Sequence, residues 1–154
     1  KQFDEISNEI KNNFTYCWYY FFEFIFIFTN RWKKQVGDLE IFSVGMVIMW
    51  HSLVKKSYQE NGWNFSNWKK NKIKVPETGV NTMSISEITN IPRPTVVRKL
   101  NYLLKNKYIS VNKKKLFNVN MQDKTLTDTI KLQEKNVVSL AYLVFKIFNQ
   151  INIK

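Results

Sequence analysis

The sequence predicts a mainly α-helical protein carrying one short β-hairpin. Three observations lead there. Turn-forming residues are scarce, with four Gly and three Pro in 154 residues. Two stretches, near the start and near the end, are apolar on nearly every side. Between them, residues 82–119 run through a helix, a turn, a second helix and a hairpin without interruption. Twelve Phe, seven Tyr and five Trp give the chain ample material for a core.

Residues 2–29 read as one helix, with Asp4, Glu5 and Glu9 near its positive N-terminal end and Arg31, Lys33 and Lys34 beyond its C-terminal end. Its run Phe14–Phe28 covers 15 residues and includes Glu23, short of the roughly 20 that cross a bilayer. The next apolar run, Ile41–Trp50, is shorter still. No small-residue cleavage site follows the first run, so it is no ordinary signal peptide. Helices apolar all round bury themselves in lipid or between other helices. The lengths favour packed helices, so residues 1–60 are expected to serve dimerisation. Gly37-Asp38 offers a break and an N-cap for a helix over about 39–60, ending near Asn61-Gly62. Residues 61–81, with Gly62, Pro76 and Gly79, read as a basic connector. Residues 121–154 return to helix and complete the expected dimer interface. The chain starts at Lys1 rather than Met, so a few leading residues are expected to be missing.

Residues 82–120 carry the functional pattern. Thr82–Thr89 reads as a short helix with Ile85 and Ile88 inward, and Asn90-Ile91-Pro92 as a sharp turn. Asn90 suits a left-handed backbone. Arg93–Asn106 reads as a longer helix burying Val96, Leu100, Leu103 and Leu104. Tyr108–Val111 and Leu116–Val119 are two short strands around the basic turn Asn112-Lys113-Lys114-Lys115. Arg93, Thr95, Arg98, Asn101, Tyr102 and Lys105 are left to the outer side of the long helix or its flanks. From Ile88 to Gln122 there is no Asp or Glu, while Arg93, Arg98, Lys99, Lys105, Lys107, Lys113, Lys114 and Lys115 all fall there.

The segment Ser84–Val111 resembles the winged helix-turn-helix of bacterial transcription regulators, the MarR-like repressors first and the IclR-like group second. The resemblance covers about a quarter of the chain and centres on Ile91-Pro92-Arg93-Pro94-Thr95-Val96-Val97-Arg98 followed by Leu100, Leu103 and Lys107-Tyr108-Ile109. It implies a three-helix core with a short β-hairpin wing, flanked by N- and C-terminal dimerisation helices. It also implies a DNA-binding regulator with helix 93–106 in the major groove and wing 112–115 on the backbone or in the minor groove. Arg93, Thr95, Val97, Arg98 and Tyr102 fall at the family's DNA-contacting positions. A small-molecule effector pocket between the dimer helices and the DNA-binding part is a further implication. Three departures stand out. Pro92 replaces a Ser cap, Lys107 replaces the common Gly after the recognition helix, and the wing lacks an Asp-x-Arg motif.

A net charge of +12 favours a polyanionic partner. The expected partners are double-stranded DNA and a second copy of the chain, with no cofactor. His51 is the sole histidine and the acids are scattered, so no metal site, triad or catalytic carboxylate pair is expected. Trp63, Phe65 and Trp68 interleave with Lys69, Lys70, Lys72 and Lys74, a pattern that stacks on single strands. Covering a core edge is the favoured reading for them. The lone Cys17 among aromatics reads as a small buried hydrophobe, and it fits a reducing cytoplasm. Two alternatives belong to other classes: a winged-helix protein-interaction module, and a membrane-associated regulator with residues 14–54 inserted as a hairpin.

Overall fold

The computed structural model describes residues 2–54, 65–66, 79–120 and 125–151. The described residues are mainly helical with one small antiparallel sheet. They fall into two compact units, residues 1–35 with 131–154 and residues 36–130.

The first unit contains α1 (Gln2–Asn12), most of α2 (Phe14–Val36) and most of the last helix, α6 (Thr125–Gln150). The single helix expected over 2–29 is interrupted at Asn13. Its side-chain Nδ2 donates to the Glu9 carbonyl at 3.0 Å, the competition with the backbone that Asn brings to a helix. Helical hydrogen bonding still bridges the break, from Asn13 N to Glu9 O and from Cys17 N to Asn13 O. α2 also outruns its expected end, because Trp32 and Val36 are buried. α2 and α6 lie antiparallel: Asn13 meets Gln150, Tyr20 meets Tyr142, and Arg31 donates to Ser139 Oγ at 2.8 Å. Cys17 is buried, as its surroundings suggested.

The second unit begins at the break. Gly37 has φ +105, a conformation that costs glycine little, and Asp38 caps the next helix by accepting from Ile41 N at 2.7 Å. That helix, α3 (Leu39–Val54), packs on α4 (Thr82–Thr89), on α5 (Arg93–Lys105) and on the sheet. Val44, Val47 and Ile48 of α3, with Ile85, Val96, Leu100, Leu103 and Ile109, are all buried and make up the core of the unit. This position differs from the sequence reading, which grouped 39–60 with the N-terminal dimerisation helices and began the DNA-binding part at 82. The helix is apolar nearly all round, so its sequence carries no direction for packing.

β1 (Ile109–Val111) and β2 (Phe117–Val119) pair antiparallel, Ile109 opposite Val119 and Val111 opposite Phe117. Val80 adds a bridge to Phe117 on the other side of β2. Gly79 makes this approach feasible. A Cβ there would lie 2.6 Å from the Phe117 carbonyl oxygen and 2.7 Å from Asn118 Nδ2. Gly79→Ala is therefore expected to lose the bridge and cost about 1–3 kcal/mol, read as a lowered urea midpoint with secondary structure retained. The rest of the connector expected over 61–81, including Trp63, Trp68 and its lysines, lies outside the described residues apart from 65–66 and 79–81.

Candidate nucleic-acid interface

The turn between α4 and α5 is built as its residues dictate. Asn81 caps α4, its Oδ1 accepting from Ser84 N at 2.9 Å. Asn90 ends it with φ 56, the left-handed conformation expected of that Asn. Ser86 Oγ donates across the turn to Ile91 O at 2.7 Å, which fixes the entry to α5. Ile85 is fully buried, but Ile88 is 47% exposed, against expectation. It lies about 60° round the helix from Ile85, past the edge of the buried face. Pro92 precedes α5 with no side-chain cap, and Pro94 sits in the first turn, where its missing N–H costs nothing.

α5 divides cleanly into two faces. Val96, Leu100 and Leu103 are buried. Leu104, expected inward, lies at the edge and is only half-buried. At about 100° per residue, Val97, Arg98, Asn101, Tyr102 and Lys105 occupy the opposite arc, and all five are exposed. Arg93 is exposed in the first turn and Thr95 is half-buried at the edge. No carboxylate among the described residues pairs with Arg93, Arg98 or Lys105.

Lys99 is the exception within the basic run. Its Nζ lies 2.6 Å from Asp38 Oδ2 and 3.2 Å from Glu40 Oε2, and its side chain is only 12% exposed. Lys99 is thus held within the chain rather than presented to a partner. Partial burial pushes the Asp38 carboxyl upward, but hydrogen bonds from Ile41 N and Lys99 outweigh it and hold the group below the usual carboxylate range. The hydrogen bond to Asp38 raises Lys99 in turn. A lowered acid stabilises the fold above its unfolded pKa and loses that contribution as pH falls through the folded value; a raised base loses its share only as pH climbs through its own folded value. Stability should therefore decline below about pH 4, and Asp38→Asn, which preserves the cap, should flatten that limb in urea titrations across acidic pH.

α5 closes with Tyr108 N bonded to Leu103 O at 2.9 Å and Lys107 N to Leu104 O at 3.0 Å, a Schellman arrangement. Lys107 occupies its left-handed position with φ 60, where glycine costs about 1–2 kcal/mol less. Lys107→Gly is expected to raise thermal stability by about 1 kcal/mol. The hairpin turn is organised by Asn112, whose Oδ1 accepts from Lys114 N and Leu116 N, both at 3.0 Å. Lys113, Lys114 and Lys115 are thereby displayed at an exposed tip.

Among the described residues, no group of three His, Cys, Asp or Glu side chains is placed to hold a metal ion. A cleft of about 220 Å³ in the first unit is lined by Tyr20, Glu23, Phe24, Ile27, Tyr142 and Leu143, among others, smaller than the roughly 300–1,000 Å³ of usual ligand pockets. No helix among the described residues is long and apolar enough to cross a membrane. Comparison with known proteins returns no matching family model, no matching curated protein and no matching solved structure. The MarR-like resemblance therefore rests on residues 84–111 alone.

Proposed function

We propose that the chain is a sequence-specific double-stranded DNA-binding transcriptional regulator built on a winged helix-turn-helix. One observation carries the reading: the exposed face of α5 is basic, holds no acid and makes no ion pair with a carboxylate among the described residues, while its opposite face is locked into the core. The order of α3, the Val80 bridge, α4, α5 and the hairpin supports the winged helix, with α3 as its first helix. Helix α5 enters the major groove. Arg93 and Arg98 meet phosphates or guanine edges, Asn101 suits adenine, and Val97 suits a thymine methyl. Lys113, Lys114 and Lys115 follow the backbone or the minor groove. The protein acts as a homodimer on a two-fold symmetric site, the arrangement that the MarR-like resemblance implies.

Selection from a random duplex pool tests this. Two inverted half-sites, centred about 10–10.5 base pairs apart or a multiple of that, are the expected product. A pool that stays random after repeated rounds contradicts sequence-specific recognition and favours the protein-interaction reading.

A further inference from the structure

Lys99 and Tyr102 stand on one flank of α5, about 60° round the helix from each other, and both reach the corner where the chain enters the second unit. Lys99 Nζ is 2.6 Å from Asp38 Oδ2 and 3.2 Å from Glu40 Oε2. The Tyr102 hydroxyl lies against Gly37: a Cβ built there would stand 3.7 Å from it, an ordinary van der Waals separation. We infer that Tyr102 is a positioning residue, which with Lys99 seats α5 on the Gly37–Glu40 corner and so sets how its outer face meets DNA. This role rests on the DNA-binding reading.

The corner is well made as a seat. Asp38 is engaged at both oxygens, Oδ1 accepting from Ile41 N at 2.7 Å and Oδ2 from Lys99, so its carboxylate has one orientation. The inner face of α5 contributes burial through Val96, Leu100 and Leu103, but apolar burial is non-directional. A charge-assisted hydrogen bond is directional, so Lys99, its side chain only 12% exposed, fixes the rotation of the helix about its axis. Tyr102 adds a second stop on the same flank. Side chains extend about 5–6 Å from a helix axis, so a turn of about 20° carries their tips about 2 Å. That displacement breaks a hydrogen bond to a base edge, while the attraction of cations for phosphates is sequence-independent and survives it. Tyr102 lies between Lys99 and Arg98, about 40° from the latter, where the MarR-like resemblance implies a direct DNA contact. Its hydroxyl is turned to Gly37 instead, and its effect on recognition passes through α5.

A double-mutant cycle on the full chain tests this, with the selected site and mixed-sequence duplex as the two probes. Glu40 belongs to α3 and meets α5 through Lys99. Tyr102→Ala and Glu40→Gln are each expected to lower the preference for the selected site, the tyrosine variant on the order of tenfold, the scale of one mismatched base pair. Affinity for mixed-sequence duplex and its salt dependence should stay as in wild type, because no phosphate contact is lost. Together the two should lose no more than the larger single effect, since both loosen the same seat. Additive losses, or a loss for Tyr102→Ala beside an unaffected Glu40→Gln, would make Tyr102 a direct contact and overturn the positioning role. Tyr102→Phe, which removes only the hydroxyl at Gly37, enters the same cycle should the alanine variant unfold. A wild type without preference removes the DNA reading and this role with it; a wild-type preference that Tyr102→Ala leaves intact removes the role alone.

Discussion

Replacing Arg93 and Arg98 together by alanine is expected to weaken duplex binding by about 2–4 kcal/mol, some 30- to 1000-fold, while the fold stays intact. Each arginine that reads a base or holds a phosphate contributes about 1–3 kcal/mol. Both project from the outer part of α5, are exposed, and pair with no carboxylate among the described residues, so their removal leaves no buried charge behind. Fluorescence anisotropy on the selected site and thermal melting of the same sample provide the comparison. Lys99→Met should give the opposite result. Its ammonium is held by Asp38 and Glu40, so stability should change and the direct contacts to DNA should not.

The largest loss of stability is expected from Leu100→Ala, on the inner face of the same helix. Leu100 is 2% exposed and sits where α3, α4 and α5 converge. Truncating such a leucine leaves a cavity and costs about 2–5 kcal/mol, a drop of about 10 °C in Tm for a chain of this size. Val97→Ala, three residues earlier and 42% exposed, should stay within about 0.5 kcal/mol. A pair of variants so close in sequence and so far apart in effect would show that α5 has one structural face and one free face. Equal losses would mean that Val97 is covered by something outside the described residues.

Much of the second unit was legible in short sequence patterns. The α4 and α5 helices, the left-handed Asn90, the buried Val96, Leu100 and Leu103, and the hairpin within one residue at each strand all depend on neighbours in sequence. The candidate contacts were legible for the same reason: helical spacing that buries one set of residues exposes the other. What escaped depends on distant partners. Nothing local to Lys99 announces an acid 61 positions earlier, so a structural cation was counted with the binding ones. Nor does Gly79 reveal in sequence that β2 passes within van der Waals reach. The apolar sequence of α3 fits burial on any side, which is why its place in the second unit came only from tertiary contacts.

The most direct measurement is the affinity of the purified protein for mixed-sequence duplex DNA across about 50 to 200 mM salt. Six exposed cations on α5 and the wing, Arg93, Arg98, Lys105, Lys113, Lys114 and Lys115, predict a slope of log affinity against log salt of about −5 per chain. A slope near zero, or no binding at the lowest salt, would contradict the claim that this face engages DNA.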